Sequence, residues 1–282
     1  MKKIFIFLVF ILLVLNCKDS NSTNRNDAET NEFYLEGWEL VWQDEFNDSE
    51  IDFSKWEHEV NAEGGGNNEL QYYTDRAENS HIRDTVLVIK AIQETYTGSE
   101  GTREYTSARL RTKNKGDWLY GRFEVRAKLP RGQGLWPAIW MLPTDWDYGG
   151  WAASGEIDIM ELIGHQPHMV YGTIHFGGEW PDNQHTGTSY TLPSGIFADD
   201  FHVFTLIWEE TKMEWYVDGN LYLTQTEWHS VNGDYPAPFD KPFHLLLNVA
   251  VGGNWPGDPD ETTIFPQTME VDYVRVYRKS EK

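Results

Sequence analysis

The alternation of apolar and charged residues in residues 121–129, GRFEVRAKL, constrains the fold of this chain more than any other sequence feature. Phe123, Val125, Ala127 and Leu129 fall on one side of this segment, and charged residues fall on the other. A period of two is typical of a β-strand with one buried face. We therefore predict a strand here, with its apolar face turned toward a core.

Further strand-like runs follow along the chain, among them TVLVIKA, FHVFTLIWEE, FHLLLNVAV and VDYVRVYR. Residues 213–224, MEWYVDGNLYLT, alternate on both sides of Asp218-Gly219, which is a strong hairpin signal. No window of twelve residues shows a helical period that is free of glycine and proline. The expected fold class is therefore all-β, a β-jelly-roll sandwich of two antiparallel sheets.

The amino terminus has the form of an export signal. Lys2 and Lys3 precede an apolar run, residues 4–15, that is too short to span a bilayer as a stable helix. Cys17 follows this run and is the only cysteine, so no internal disulfide can form. We predict a lipoprotein-type signal peptide in residues 1–16 and a lipid on Cys17. The alternative is ordinary signal cleavage nearby, with Cys17 lost or idle.

The rest of the chain divides into a short linker and one domain. Residues 17–36 are mostly polar without a sustained apolar period, which is typical of a flexible linker. No internal repeat or second linker follows, so residues 37–280 are predicted to form a single domain and a monomer. We expect an exported protein, held as a bacterial lipoprotein at the outer membrane or cell surface, or otherwise secreted. Its membrane contact would be only through the lipid anchor at Cys17.

The charge balance restricts the partners. The chain has 45 acidic and 23 basic residues, a net charge of −22. Such a surface repels phosphate backbones and sulfated or carboxylated polymers, so nucleic acid is excluded as an expected partner. A neutral ligand is unaffected by this charge, and an acidic balance is equally typical of a soluble exported protein.

Three carboxylates interrupt an apolar run in residues 154–164, SGEIDIMELIG. Glu156 and Asp158 share one face of a regular strand, whereas Glu161 lies at an odd interval from both and would point away. One extra residue near Ile159, a β-bulge, would return Glu161 to the face of the other two. The spacing therefore predicts a bulge of the kind found beside active sites.

A carboxylate cluster of this kind is costly because the charges repel one another and burial desolvates them. Cleavage of a glycosidic bond needs such a set: one carboxylate attacks or stabilises the sugar carbon, and one carboxylic acid protonates the leaving oxygen. Glu156 and Glu161 form the outer pair, whose pKa values must differ, and Asp158 between them can hold a proton by hydrogen bonding and tune both. A calcium site built from the same oxygens and a solvated acidic face are the alternatives.

The motif GEIDIMELIG resembles the E-x-D-x-x-E signature of glycoside hydrolase family 16. The resemblance runs from about Trp38 to Tyr277 and includes NNELQYYT, YGRFEVRAKLPRGQGLWPAIWMLP, GTIHFGG and PFHLLLNVAVGGNWPG. These segments are similar to the bacterial laminarinase branch, the endo-acting β-1,3-glucanases. The resemblance implies a substrate cleft on the concave face of a jelly roll and a retaining mechanism. It also implies Glu156 as nucleophile, Glu161 as acid/base and Asp158 as their assistant.

The resemblance implies an endo-1,3-β-glucanase that acts on neutral, laminarin-like β-glucans and needs no cofactor for catalysis. A mixed-linkage β-1,3-1,4-glucanase, an agarase or a carrageenase of the same family is an alternative, although the negative charge argues against sulfated carrageenan. A non-catalytic glucan-binding module on the same fold is a further alternative. Such a module is expected to lack at least one outer glutamate, whereas Glu156 and Glu161 are both present.

Four tryptophans are candidates for stacking on the sugar rings. Trp136 and Trp140 are four residues apart, an even interval that places both on one strand face. Trp151 and Trp255 lie in glycine-rich segments that we expect to be loops at the cleft. Packing in the core is the alternative for each tryptophan.

Polar residues are candidates for binding the sugar hydroxyls. Asn68 and Arg109 match positions that contact sugar in the family, and His175 is expected beside Glu161. A turn for Asn68, an ion pair for Arg109 and a satisfied interior group for His175 are the alternatives. The resemblance also implies a structural calcium ion on the convex side, with Glu45 and Asp272 as ligands. Surface carboxylates are the alternative for that pair.

Overall fold

The computed structural model describes residues 35–281, which contain eighteen β-strands and a single 3₁₀ turn, Gly64–Gly66. The predicted signal peptide, the lipidation of Cys17 and all but the last two residues of the predicted linker lie outside the described residues. No helix in the described region has both the length and the apolar composition that crossing a bilayer requires. The expected all-β class is confirmed.

The strands form two sheets, and they are numbered in chain order. The first sheet contains β1 (Trp38–Asp44), β3 (Gln71–Tyr73), β4 (Ser80–Arg83), β5 (Val86–Gly98), β6 (Gly101–Ser107), β9 (Gly121–Lys128), β14 (His202–Glu209), β15 (Lys212–Val217), β16 (Asn220–Gln225) and β18 (Gln267–Lys279). The second contains β2 (Glu57–His58), β7 (Arg109–Arg111), β8 (Asp117–Trp118), β10 (Leu135–Pro143), β11 (Glu156–Glu161), β12 (Met169–Gly177), β13 (Asn183–Thr191) and β17 (Phe243–Val251).

Strands that are neighbours in the sheets are often distant in the chain, as in a jelly roll. The first sheet has the order β16-β15-β14-β9-β18-β5-β6-β3, with β1 on β18 and β4 on β5. The second has the order β13-β12-β11-β10-β17-β7-β2, with β8 on β17. The strand pairs are antiparallel except for β3 with β6. Two sheets of this kind confirm the predicted sandwich.

The core lies between the sheets and follows the predicted alternation. In β9 the residues Phe123, Val125 and Ala127 are fully buried, and the charged residues between them are partly exposed. Ile139 and Met141 of β10 enter the same core from the second sheet. Burial of a side chain as large as Ile139 or Phe123 contributes about 1.5–3 kcal/mol. The core therefore fixes which face of β10 and its neighbours remains open.

The predicted hairpin is also confirmed. Strands β15 and β16 pair with each other and are joined by Asp218 and Gly219, whose φ angles are 50° and 77°. Two successive residues of positive φ are the requirement of a tight type I′ turn, which matches the twist of the paired strands. Asn-Gly and Asp-Gly sequences meet that requirement at low cost.

Candidate active site

The predicted bulge is present in β11 and brings the three carboxylates to one face. On the β10 side, Ile159 has no partner in the strand register. On the β12 side, the register shifts between Asp158 and Glu161. As a result Glu156, Asp158 and Glu161 line the same cleft, although their spacing in the sequence is uneven. The bulge is the structural reason that three acids can meet on a single strand.

A cleft of about 1000 Å³ lies on the open face of the second sheet. Its floor comes from β7, β10, β11 and β17, and its walls come from loops at both ends of these strands. Seven of the residues selected from the sequence line it: Arg109, Trp136, Trp140, Trp151, Glu156, Asp158 and Glu161. The volume and the mixture of aromatic and acidic lining suit a small stretch of a polymer of neutral sugars.

The even spacing in β10 places both of its tryptophans in the cleft. Trp136 and Trp140 line the cleft, while Ile139 between them is buried in the core. The indole Nε1 of Trp136 donates a hydrogen bond to Oε1 of Glu161 over 3.0 Å. The indole Nε1 of Trp140 donates to Oδ1 of Asn248 over 2.7 Å. Each ring is thus held by its polar edge and leaves part of its surface to the cleft.

Glu156 is held at its two carboxylate oxygens by different neighbours. Trp151 Nε1 donates a hydrogen bond to Oε2 over 2.8 Å, and His175 Nε2 lies 3.7 Å from Oε1. Burial, and then the negative charge of Asp158, raise the pKa of Glu156 to about 7. The charge of His175 and the Trp151 hydrogen bond act in the opposite direction and favour the ionised carboxylate.

Glu161 is in a more unfavourable environment for a negative charge. Burial, followed by the charges of Asp158 and Glu156, raises the pKa of Glu161 well above its usual range. The hydrogen bond from Trp136 opposes this effect only in part. Two carboxyl groups that interact and titrate as a pair are therefore present, and the arrangement favours a protonated Glu161 beside an ionised Glu156.

His175 lies opposite Glu156, not beside Glu161 as we expected. The antiparallel register of β11 and β12 pairs Glu156 with His175 and pairs Glu161 with Tyr171. Nε2 of His175 is 3.3 Å from Oδ2 of Asp158. Burial disfavours the charged imidazole, but the contact with Asp158 and the charges of both glutamates outweigh it and raise the pKa of His175 to about 9. A cation among the three acids offsets part of their repulsion.

Replacing His175 with glutamine is expected to reduce the pH dependence of the free energy of unfolding. Between pH 6.5, the ordinary pKa of histidine, and about pH 9, the raised pKa of His175, the folded state keeps a proton that the unfolded state loses. This stabilisation is fully present below pH 6.5 and is lost as the pH rises through 9, a change on the order of 3 kcal/mol. Denaturant unfolding of both proteins at several pH values measures the difference.

The control for this comparison is His165→Gln, since His165 is exposed and lies in the loop between β11 and β12. Its unfolding free energy should follow that of the unaltered protein at every pH. An equal loss of stability in His175→Gln at pH 6 and at pH 9.5 would contradict the charged contact with Asp158.

Arg109 lines the cleft and is also ion-paired, so a role in binding sugar and a role in an ion pair are compatible. The guanidinium lies 4.5 Å from the centre of the Tyr73 ring and 5.3 Å from that of Trp140. Nη1 is 3.4 Å from Oε1 of Glu59, and Nη2 is 4.0 Å from Oε2 of Glu69. The residue is 8% exposed, and these contacts place its N–H donors beside Trp140.

Asn68 and Trp255 do not line the cleft themselves but support residues that do. Asn68 is exposed, has a φ of 59°, and donates through Nδ2 to Oδ1 of Asn254 over 2.8 Å. The cleft is lined instead by Asn254 and by Asn67, the residue before Asn68. The ring of Trp255 packs edge-on against Trp136, with 5.5 Å between centroids. Trp255, which is 40% exposed, therefore packs beside a cleft tryptophan.

Several cleft residues were not selected from the sequence. Trp180 and Trp146 line the cleft, and Trp180 is 73% exposed. Trp180 follows two glycines and precedes proline in GGEWPDN, the same signal that pointed to Trp255. Asn248 is a single amide in the apolar run FHLLLNVAV, a pattern that indicates a polar task inside a buried strand.

The predicted calcium ligands are occupied by arginines. Glu45 accepts two hydrogen bonds of 2.7 Å from Arg275, and Asp272 is paired with Arg126. Among residues 35–281, the only group of three acidic, histidine or cysteine side chains close enough to surround a metal ion is on β11 and β12. A calcium ion at Glu45 and Asp272 would have to compete with both guanidinium groups. The calcium site stays a prediction.

Comparisons with known proteins show the family of this chain. The sequence model of Glycosyl hydrolases family 16 matches residues 67–275. Glucan endo-1,3-β-glucosidase A1 of Niallia circulans is 46% identical over 263 residues, which are 87% of this chain and 38% of that protein. A β-glucanase of Rhodothermus marinus is 44% identical over 299 residues, covering 99% of this chain and 96% of that protein. This chain thus spans well under half of the first relative and nearly all of the second.

A solved structure shows the same arrangement of strands. The laminarinase catalytic domain of Thermotoga maritima MSB8, determined in complex with cetyltrimethylammonium bromide, superposes with a TM-score of 0.78 at 46% identity. The superposition covers 87% of this chain and 100% of that one.

Proposed function

This chain belongs to glycosyl hydrolase family 16, and on that premise we propose that it is an endo-acting, retaining enzyme that cleaves β-1,3-glucosidic bonds in laminarin-like β-glucans. The proposal rests on the bulge in β11, which points the side chains of Glu156, Asp158 and Glu161 into one cleft lined by tryptophans. Relatives that bear the names of β-1,3-glucan hydrolases support the linkage.

In the proposed mechanism Glu156 is the nucleophile and Glu161 is the acid/base. The ionised carboxylate of Glu156 attacks the anomeric carbon while Glu161 gives its proton to the leaving glycosidic oxygen, and a covalent glycosyl-enzyme forms. A water molecule, deprotonated by Glu161, then displaces Glu156 and restores both groups. Two inversions at the same carbon give net retention. The positive charge of His175, whose Nε2 lies 3.7 Å from Oε1 of Glu156, supports this division of roles because it favours an ionised nucleophile.

Asp158 acts through its negative charge on the two glutamates that flank it in the motif. Its carboxylate raises the pKa of Glu156 and that of Glu161, so it helps Glu161 to keep the proton that the leaving oxygen needs. His175 is paired with Asp158 and is closer to Glu156, so its positive charge favours ionisation of the nucleophile. Asp158 thus raises and His175 lowers the pKa of both glutamates, and His175 lies directly opposite Glu156 in the strand register.

The electrostatics of the cleft support a neutral substrate. Among the described residues that line it, Arg109 is the only basic one, and Glu59 and Glu69 already balance its charge. A sulfated or carboxylated polymer would therefore meet acidic side chains without a spare cation. Stacking of apolar sugar faces on Trp136, Trp140 and similar rings needs no charge.

The test of the function is the release of reducing ends from laminarin by residues 18–282, with agarose and a mixed-linkage β-1,3-1,4-glucan in parallel. We expect a ladder of short oligosaccharides from laminarin. Glu156→Gln is expected to bind laminarin without cleaving it, which separates an enzyme from a binding module. Release from another polymer but not from laminarin would refute the proposed linkage, and silence on all three would favour the binding module.

We further propose that the protein is exported and anchored through a lipid on Cys17, because Lys2, Lys3 and an apolar run precede this cysteine. The full chain expressed in a bacterial host should sediment with membranes, and Cys17→Ala should move it to the soluble fraction. An unchanged membrane fraction in Cys17→Ala would contradict the anchor.

A further inference from the structure

We infer that Glu179 is a positioning residue, which holds the loop of Trp151 so that the indole N–H of Trp151 stays on the carboxylate of Glu156. The inference rests on the proposed function of Glu156. Glu179 is exposed and does not line the cleft, and neither the spacing of the motif nor its resemblance to the family points to it.

Two hydrogen bonds join the β10–β11 loop to the β12–β13 loop. The backbone N–H of Gly150 donates to Oε1 of Glu179 over 2.7 Å. One residue further along both loops, the backbone N–H of Trp180 donates to the carbonyl oxygen of Trp151 over 3.1 Å. We call these two hydrogen bonds the clasp. The clasp holds the backbone of Gly150 and Trp151 directly.

The glycine at position 149 fits the close approach of the Glu179 side chain. Gly149 has a φ of 109°, a region that favours glycine, and a Cβ added there would lie 2.7 Å from Oε1 of Glu179. Any larger residue at position 149 would push the carboxylate away from the N–H of Gly150. The pair of glycines before Trp151 is therefore matched to Glu179.

Other hydrogen bonds hold the part of the β10–β11 loop that precedes Gly150, so the clasp is needed only for Gly150 and Trp151. Ser154 Oγ accepts a hydrogen bond from the backbone N–H of Tyr148 over 3.0 Å, and Asn232 Nδ2 donates to the carbonyl oxygen of Tyr148 over 2.7 Å. These contacts fix the residues before Gly150. Trp151 itself is 36% exposed, so packing alone leaves its ring less constrained than a core tryptophan.

The clasp matters because Trp151 is one of the groups that set the charge of Glu156. Its Nε1 is 2.8 Å from Oε2 of Glu156, and a hydrogen bond of this kind stabilises the ionised carboxylate. The charged groups that act on Glu156 are Asp158 in its own strand, His175 from β12, Arg109 from β7 and, beyond the bulge, Glu161. If Trp151 moves away, the pKa of Glu156 rises and less nucleophile is ionised at a given pH.

Three variants separate the reach of the Glu179 side chain from its charge. Glu179→Gln keeps an acceptor oxygen at the same distance but removes the charge, whereas Glu179→Asp keeps the charge on a side chain that is one methylene shorter. Glu179→Ala removes both. We expect Glu179→Gln to behave as the unaltered enzyme, and we expect the Asp and Ala variants to lose kcat/KM by roughly fivefold. In these two variants the acid limb of kcat/KM against pH should move to higher pH.

A double variant tests whether Glu179 acts through Trp151. Trp151→Phe removes the indole N–H and is itself expected to move the acid limb to higher pH. Adding Glu179→Ala to Trp151→Phe should move it no further. An additional shift of the same size would mean that Glu179 acts by another route, and it would overturn the inference.

A readout without substrate keeps this test independent of the proposed function. In ¹⁵N-labelled protein, the indole N–H resonance of Trp151 is assigned by its absence in Trp151→Phe, and its shift with pH follows the ionisation of Glu156. The resonance should be unchanged in Glu179→Gln and displaced in Glu179→Asp and Glu179→Ala. A resonance unaffected in all three variants would refute the clasp, whereas a displaced resonance in a protein that cleaves no glucan would refute only the proposed function.

Discussion

Replacing Glu156 with glycine is expected to lower the hydrolysis of laminarin by roughly 10⁴-fold or more, since the variant lacks the group proposed to attack the anomeric carbon. Added azide should restore cleavage because a small anion can enter the space of the missing side chain and attack from the same face. The product should be a glycosyl azide of the α configuration, opposite to the β-linkage of the substrate. Chromatography of the products and NMR of the anomeric proton measure both effects.

The matched control is Glu161→Gly on the same strand. With a dinitrophenyl glycoside of a β-1,3-glucan oligosaccharide, whose leaving group needs no proton, Glu156 of that variant still forms the glycosyl-enzyme. Azide then attacks this intermediate from the opposite face, so the azide should have the β configuration. Products of opposite configuration from the two variants would support the assigned roles. A β-azide from Glu156→Gly would show that the two roles are reversed, and the absence of any rescue would remove the support for a covalent intermediate.

The arrangement of the carboxylates was predictable because the parity of side chains along a strand is a local property. Glu156 and Glu161 cannot share a face without one extra residue, and the described register leaves Ile159 as that residue. The same rule placed Trp136 and Trp140 together on the open face of β10. Period and parity need no knowledge of which strands become neighbours.

The partners of the catalytic motif were less predictable because they depend on the register between strands. His175 was expected beside Glu161, but the pairing of β11 with β12 places it opposite Glu156. A shift in register moves a residue along its neighbour by several ångströms, and the sequence of one strand does not fix it. Arg275, which forms the ion pair with Glu45, is likewise 230 residues away from it in the chain.

Loop residues were the hardest to place because their backbone follows no period. Asn68 was selected for the cleft, yet a φ of 59° turns it toward Asn254 and leaves Asn67 at the cleft wall. Trp180 was not selected although it is among the most exposed tryptophan side chains of the described region. Glycine and proline in these segments indicate loops, but they do not show which side chain points into the cleft.

Replacing Glu161 with alanine is expected to lower kcat on laminarin by about 10²- to 10⁴-fold, because no group then protonates the leaving glycosidic oxygen. The alkaline limb of the pH profile should disappear in the variant. In the unaltered enzyme this limb arises because activity falls as the pH rises through the raised pKa of Glu161 and the acid loses its proton. Initial rates on laminarin across the pH range measure both effects.

A substrate whose leaving group needs no proton distinguishes a lost acid from a damaged cleft. In a dinitrophenyl glycoside of a β-1,3-glucan oligosaccharide, the leaving group departs as the stable dinitrophenolate anion. Glu161→Ala should therefore still form the glycosyl-enzyme from this substrate at nearly the normal rate. The second step lacks its base, so the intermediate should accumulate and be visible as a mass increase on the protein, with a burst of dinitrophenol. If the first step were slowed equally on laminarin and on the activated glucoside, so that no burst of dinitrophenol appeared, the role of Glu161 as the acid would be contradicted, because damage to binding would affect both substrates alike.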